Sequence, residues 1–259
     1  MKQIFFEGNV PTSKYIIRGT LAKEDIEGLE FPLIVKPVDA YSSRGVKRAN
    51  NYEDLLPAFE EAVRISRTNT AIIEEFVEGP EVSVDVYIEN GKAHVLGLCD
   101  IDKLPDTGKF IMCRGRYPSQ ISEKAKASIQ DAAQKLADAF HLVDSPMMIQ
   151  LKVKEDDTVS VIEFCARNGG GIKFTFIKKV SGFDSVKAVI DLTLGEKPHV
   201  EYIPYKKCVC NEFIYAKPGI LDHYEGFEDM KKAGVISEYY CYKPEGYEFK
   251  TIAGSGDRA

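Results

Sequence analysis

Residues 72–85 constrain the fold of this chain more than any other segment, because two strand-like runs meet there at a tight turn. An apolar run ends in Glu74, Glu75, an aromatic residue and a valine, and a Gly-Pro pair then leads into Glu81 and a second alternating run. This pattern predicts two strands joined by a short turn. The acids then lie either at a hinge between two lobes, where they suit a purine nucleotide, or on an exposed edge strand in solvent.

At a hinge, this segment offers a set of partners for an adenine nucleotide. The backbone around Glu75 and Val77, with Phe76 between them, could read the adenine edge. Glu74 could accept a hydrogen bond from the exocyclic amine, and Glu81 could bind the ribose hydroxyls. The segment resembles the adenine–ribose hinge of the ATP-grasp ligases, including the seven-residue step from Glu74 to Glu81. The resemblance implies that all five residues bind nucleotide.

A second part of the same pattern lies upstream of the hinge. A short apolar run ends in Lys36 before a proline, which predicts a buried strand that places one cation at its tip. Ser42, Ser43 and Gly45 follow, and their hydroxyls, amides and flexible backbone suit a loop that covers phosphates. The segment resembles the strand lysine and lid of ATP-grasp enzymes, which implies phosphate contacts for these four residues. Because residues 39–41 contain no glycine, we expect a stiff lid; the alternative is a surface lysine beside a turn.

A paired run over residues 146–171 is the candidate metal site. Acidic turn residues join two strands, so Gln150 and Glu163 are predicted to face each other. Mg²⁺ takes oxygen ligands and draws most of them from water and phosphates, so an amide oxygen and a carboxylate fit it. The second strand and the glycines after it resemble the ATP-grasp metal motif. The resemblance implies that Glu163 bridges the metal and Arg167 stabilises the transferred phosphate. Gln150 matches the carbamoyl-phosphate-synthetase group, where most other members have Glu.

Cys165 departs from that motif, because it occupies the position of an asparagine that binds a second metal ion. A thiol is a poor Mg²⁺ ligand. Two interpretations stay open: the chemistry is altered, or the protein binds nucleotide without turning it over. Cys165 could also be an ordinary small buried thiol on a strand. Lys103 is a further candidate for a catalytic, phosphate-contacting cation, with a solvated loop lysine as the alternative.

Periodicity predicts an α+β fold in which two lobes clasp a ligand. Asn51 and Ser122 are predicted to cap helices, and Asn90-Gly91 to turn a hairpin. After Gly182, apolar residues at i, i+3, i+4 and i+8 predict a helix that buries the stripe Val186, Val189, Ile190 and Leu194.

The C-terminal part is predicted to be a small antiparallel β layer, with strands at 213–215, 236–240 and 251–252. Its ending, Gly-Asp-Arg-Ala, resembles the corresponding turn of biotin-carboxylase-like enzymes. The predicted divisions are a lead-in (1–14), an ATP-grasp small, or lid, subdomain (15–77), a large subdomain with the metal site (78–198) and a C-terminal β-rich extension (199–259).

Composition excludes several classes of protein. With 259 residues and 44% hydrophobic content, the chain can bury a substantial core. A net charge of −6 argues against general binding to nucleic acids or anionic membranes. Neither a leader peptide nor an 18-residue apolar run is evident. Six scattered cysteines suit free thiols in a reducing cytoplasm.

The resemblance implies an ATP-dependent carboxylate–amine ligase that uses Mg²⁺, forms an acyl phosphate and makes a carbon–nitrogen bond from two small-molecule substrates. The alternative is a nucleotide-binding module with little catalysis of its own. Family members carry a Rossmann-like domain before the segment that matches residues 8–15, so this module would need that domain or a partner chain that supplies it. A homodimer is also compatible with the resemblance. A scaffold of similar fold that binds no nucleotide is the third hypothesis.

Overall fold

The computed structural model describes residues 1–105 and 108–259, which include a four-stranded and a six-stranded antiparallel sheet. The strands are β1 (Tyr15–Arg18), β2 (Leu33–Pro37), β3 (Lys47–Ala49), β4 (Ala71–Glu75), β5 (Glu81–Glu89), β6 (Lys92–Lys103), β7 (Met112–Tyr117), β8 (Ser145–Val153), β9 (Val159–Cys165), β10 (Val209–Glu212), β11 (Gly219–Ile220) and β12 (Glu248–Phe249). The α-helices are α1 (Lys2–Glu7), α2 (Tyr52–Ile65), α3 (Glu123–Ala139), α4 (Lys173–Ser181), α5 (Ser185–Thr193) and α6 (Phe227–Lys232).

The small sheet has four strands in the order β1-β4-β2-β3, and α2 covers one of its faces. Asn51 caps α2, since its side chain accepts a hydrogen bond from the Asp54 N–H, as predicted from the sequence. Leu33, Val35 and Ile73 alternate toward α2 and are fully buried. The intervening residues of β2 and β4 therefore lie on the face turned away from α2, and this face carries both Lys36 and Glu74.

The large sheet has six strands in the order β10-β7-β6-β5-β8-β9. The predicted hairpin is confirmed: β5 and β6 pair antiparallel and turn at Asn90-Gly91, both with positive φ. Helix α3, capped by Ser122 as predicted, packs on one face and completes the main core. Members of that core include Val82, Val84, Val86, Ile88, Ile129, Leu136, Ile149 and Val161.

The other face of the large sheet is polar, and it is only partly covered. Alternation along β5 and β8 places Glu81 and Ser83 on this face, with Gln150 opposite Ser83. Helix α4 covers its far part: Phe176 and Val180 pack against Cys99. Near the β4–β5 connection, no helix in the described parts of the chain covers this polar face, and it faces the small sheet.

Two sequence expectations are wrong. The stripe on α5 is not buried, because Ile190 and Leu194 are 54% and 72% exposed, whereas Ala188 points into the core. Periodicity identified a helix and an apolar face, but the small residues Ser185 and Ala188 are the ones that are buried. The predicted terminal strands also fall outside the observed ones, since β10 joins the large sheet and only β11 and β12 form a separate antiparallel pair.

No helix in residues 1–105 and 108–259 is long and apolar enough to cross a membrane.

Candidate functional site

Glu74 is the centre of a buried charge network at the end of β4. It is 5% exposed and forms ion pairs with Lys36, through Oε1, and with Lys2, through Oε2 at 2.9 Å. The Ser13 hydroxyl also donates to Oε2, at 3.1 Å. Although burial acts in the opposite direction, the two ammonium groups lower the pKa of Glu74 to about 2. Glu74 is therefore ionised at any physiological pH and holds Lys36 at the tip of its strand.

The backbone that follows Glu74 is only partly occupied. The N–H of Glu75 donates to the Lys14 carbonyl at 3.0 Å, and the N–H of Phe76 donates to the Pro32 carbonyl at 2.9 Å. The N–H of Val77 has no acceptor among residues 1–105 and 108–259. A hydrogen-bond donor at this position is what an adenine edge requires, so the predicted reading of adenine has Val77 available and Glu75 N–H already used.

Phe76 lies in a cationic and aromatic setting. The Arg48 guanidinium is 4.4 Å from its ring centroid, the Lys152 ammonium is 5.9 Å away, and the Phe110 ring is at 6.4 Å. Arg48 comes from the small sheet and Lys152 from the large sheet. Flat, partly apolar surfaces next to cations suit an aromatic base that carries phosphates.

Glu81 begins β5 and is held by two lysines. Lys103 donates to Glu81 Oε1 at 2.6 Å, and the Lys152 ammonium is 3.8 Å from Oε2. Burial lowers the pKa of Lys152, which also donates to the Gly79 carbonyl at 3.0 Å. The structure thus places Lys103, predicted to contact phosphate, beside the predicted ribose ligand, and adds Lys152 between them and Phe76.

The predicted lid is a strained loop held from two sides. Ser42 and Ser43 have φ of 57° and 61°, values that side chains other than glycine rarely adopt. Gly45 has φ of 75°, and an added Cβ would lie 2.8 Å from Ile65, so this position needs glycine. The Ser43 hydroxyl donates to the Phe110 carbonyl at 2.9 Å, and the Ser42 carbonyl accepts from the Ser255 N–H at 3.0 Å.

The candidate metal ligands face each other across β8 and β9. Gln150 and Glu163 are direct cross-strand partners, as the sequence predicts. A β-bulge at Ile162 interrupts the pairing next to them. Glu163 is exposed and makes no ion pair within the described parts of the chain. Cys165 shares this face, because Phe164 points the other way toward the core, where the centroid of its ring lies 4.4 Å from that of the tilted Phe140 ring.

Cys165 keeps its proton and is directed to the loop that follows. Burial raises the pKa of its thiol, and Sγ contacts the Arg167 carbonyl at 3.8 Å. The Arg167 side chain is exposed and donates to the Asn168 carbonyl at 2.7 Å. Among the described residues, no group of three or more His, Cys, Asp or Glu side chains converges on one point, so a metal here would depend on ligands from outside the protein.

Further buried groups were missed by sequence reasoning. Lys173, at the start of α4, donates to Asp85 Oδ2 at 2.6 Å, and although burial opposes its charge, Asp85 raises the pKa of Lys173. This pair fixes α4, and with it the loop that carries Arg167. Lys152 could have been found by alternation from Gln150 along β8. One feature of the sequence indicated that Lys2 is buried, namely its position near Phe5 on a short, partly apolar helix.

A cavity of about 650 Å³ borders the turn at residues 78–81 that follows the hinge, together with parts of β6, β7 and β8. Asp100, Asp102 and Arg116 line it, together with the loop before α3. Neither Lys36 nor the Gln150–Glu163 pair borders it, so its shape does not identify the site described above.

Comparison with known proteins covers most of the chain. A family model described as "ATP-grasp domain" matches residues 29–176. The carbamoyl-phosphate synthase of Methanobrevibacter smithii is 26% identical over 97% of this chain and 66% of its own length. The carbamoyl phosphate synthase large chain of Caldanaerobacter subterraneus is 25% identical over 73% of this chain and 17% of its own.

Solved structures show the same fold. An L-amino acid ligase from Bacillus licheniformis has a TM-score of 0.79 at 24% identity, over 99% of this chain and 63% of that one. The biotin carboxylase domain of Hydrogenobacter thermophilus 2-oxoglutarate carboxylase, solved with MgADP, ADP and bicarbonate, has a TM-score of 0.75 at 18% identity, over 98% and 58%. The present chain thus spans less than two thirds of these relatives. Since the family model matches more than half of it, the chain belongs to the ATP-grasp family.

Proposed function

We propose that this chain binds ATP with Mg²⁺ between its two sheets and serves an ATP-dependent ligase that joins a carboxylate to an amine. The observation that supports this proposal is that each of the two sheets contributes part of the predicted site, and that the two parts lie next to each other. The small sheet supplies Lys36 and the hinge after Glu74, and the large sheet supplies Glu81 and the Gln150–Glu163 pair. Membership of the ATP-grasp family, and the MgADP bound by the biotin carboxylase neighbour, support this assignment.

Contacts between the sheets support a shared cleft. Lys2 reaches both Glu74 on β4 and the Val161 carbonyl on β9, at 2.9 and 3.2 Å. Lys152 on β8 lies near the ring of Phe76 in the hinge. A nucleotide against residues 74–77 would therefore have its phosphates within the region between Lys36 and β9.

Each residue has a defined task in this proposal. The Val77 N–H and the backbone near Glu75 read adenine, and Glu81 accepts hydrogen bonds from the ribose hydroxyls. Lys36, the lid residues Ser42, Ser43 and Gly45, Lys103 and Arg167 offset phosphate charge. Positioning and charge neutralisation supply most of the catalysis in phosphoryl transfer, so few covalent steps are required of the protein.

The residues present fit one Mg²⁺. Gln150 and Glu163 are cross-strand neighbours whose side-chain oxygens could bind a metal ion, and no other described side chain bonds to them. Mg²⁺ in such sites takes its remaining ligands from phosphates and water. Bound there, the ion would neutralise charge on the phosphates. Cys165 does not fit a second Mg²⁺, because a protonated thiol is a poor ligand for a hard cation.

The reaction proceeds in two displacements. A substrate carboxylate oxygen attacks the γ-phosphorus, the bond from phosphorus to the ADP oxygen breaks, and ADP leaves with that electron pair. The amine nitrogen then attacks the acyl carbon, the carbon–nitrogen bond forms, the bond from that carbon to the phosphate oxygen breaks, and the amine proton goes to water. In this proposal, Arg167 offsets charge on the transferred group.

Cys165 favours a second candidate, a protein that binds nucleotide without turning it over. Two measurements separate the possibilities. MgATP at about 100 times its Kd should raise the free energy of unfolding by about 2.7 kcal/mol, and no thermal shift with any adenine nucleotide would refute both. ADP release that requires an acid and an amine supports the ligase; tight binding without such release supports the second candidate.

A further inference from the structure

Lys2 is a buried cation for which the proposed function has no task so far. It is 3% exposed, although it lies in the first turn of a six-residue helix. Its ammonium contacts Glu74 at 2.9 Å, the Val161 carbonyl at 3.2 Å and the Thr12 hydroxyl, which itself donates to Val161 at 2.8 Å. All these partners are acceptors, so the ammonium group of Lys2 is held in one place.

Lys36 has a different status on the same carboxylate. Its side chain is 18% exposed, against 2% for Lys2, and Glu74 is its one ion-pair partner in the described parts of the chain. A lysine that contacts phosphate must turn from Glu74 toward the nucleotide. If Lys36 were the only counterion, this movement would leave a buried carboxylate unpaired, which is strongly unfavourable.

We infer that Lys2 is a positioning residue: it is the permanent counterion of Glu74, and it allows Lys36 to exchange Glu74 for the phosphates of a bound nucleotide. The division of Glu74 supports this, because Lys36 contacts Oε1 while Lys2 and Ser13 contact Oε2. Loss of Lys36 from Oε1 therefore leaves the other oxygen with both of its partners. The inference rests on the proposed nucleotide site.

The same contacts tie the hinge to the candidate metal strand. Val161, whose carbonyl accepts from Lys2, is two residues before Glu163. Lys2 thus fixes the position of Glu74 relative to β9, so that phosphates held by Lys36 face Glu163 at a set distance. A lysine at the surface of α1 could not do this.

A double-mutant cycle tests the role. MgATP affinity is measured by calorimetry for wild type, Lys2→Met, Lys36→Met and the double variant. In wild type, Lys36→Met should weaken binding at least about tenfold, as expected for loss of a charged hydrogen bond. In the Lys2→Met background, Lys36 stays on Glu74, so removing it should change affinity less than about threefold. Equal losses in both backgrounds would overturn the inference.

Two further variants separate positioning from folding. Lys2→Arg should restore most of the affinity, because a guanidinium also supplies a fixed charge to Glu74. Lys2→Met/Glu74→Gln removes both buried charges and leaves Lys36 free, so it should bind MgATP more tightly than Lys2→Met alone and keep the fold if Lys2→Met does not. Failure of both rescues would overturn the role of Lys2. Absence of MgATP binding in wild type would instead refute the proposed function itself.

Discussion

Replacing Glu74 by Gln should destabilise the fold far more than its position in a short strand suggests. The difference between 4.5 and about 2 in the pKa of Glu74 corresponds to roughly 3 kcal/mol of stability at neutral pH. Part of this is offset, because burial lowers the pKa of Lys2 and its charge is costly to bury. Removing the carboxylate leaves Lys2 without its counterion, which typically costs 3–5 kcal/mol for a buried pair. We expect a loss of about 2–4 kcal/mol.

The pH dependence of this loss has a defined sign. A carboxyl group with a depressed pKa contributes its full stability above its unfolded pKa and loses that contribution as the pH falls toward the folded pKa. For Glu74 this window runs from 4.5 to about 2. Near pH 3, roughly 2 of the 3 kcal/mol should be gone, so the difference between wild type and Glu74→Gln should shrink as the solution is acidified.

Urea denaturation of wild type and variants at pH 7 and at lower pH measures both effects. Glu75→Gln is the matched control, because Glu75 is next in the chain but pairs with the largely exposed Lys14 at 3.4 Å. It should cost less than about 1 kcal/mol. A loss of stability for Glu74→Gln no larger than that for Glu75→Gln, or one that did not change with pH, would contradict this expectation.

The other predictions concern the hinge and the candidate metal site. Gly79→Ala should cost at least about 2 kcal/mol in urea denaturation, because Gly79 has φ of 119° and an added Cβ would lie 1.9 Å from the Val153 carbonyl oxygen; unchanged stability would contradict this geometry. Glu81→Ala should weaken MgATP binding by about 1–3 kcal/mol in calorimetry, and an unaltered affinity would contradict the proposed contact between Glu81 and the ribose. Cys165→Asn should raise Mg²⁺ affinity or ATP hydrolysis, whereas Glu163→Gln should abolish metal-dependent nucleotide binding. If only the second change has an effect, Cys165 does not point into the site.

Sequence patterns predicted the parts of the fold that depend on local order. Asn51 and Ser122 cap their helices, and Gln150 pairs with Glu163, because caps, turns and hairpin register are set within a few residues. The prediction that the apolar stripe on α5 is buried was wrong for the opposite reason. Which face of a helix is buried depends on the surface it meets, and Ser185 and Ala188 fit that surface.

The residues of the candidate site show the same difference between what local sequence determines and what tertiary packing determines. Motif residues were identified by spacing, whereas their partners come from distant segments. Lys2 and Glu74 are far apart in the chain, as are Asp85 and Lys173, and no pattern within either segment specifies the other. A buried ion pair needs only one partner of suitable charge and reach, so its identity is fixed by tertiary packing.

Hydrogen–deuterium exchange with and without MgADP tests the location of the nucleotide most directly. We expect slower exchange in the hinge around Val77 and in the lid at residues 42–46, with a smaller effect beside Glu163. Glu81→Ala should lose this protection at the same nucleotide concentration. Protection confined to the cavity near Arg116 or to the C-terminal segment, or binding with no protection at the hinge, would contradict the proposed site.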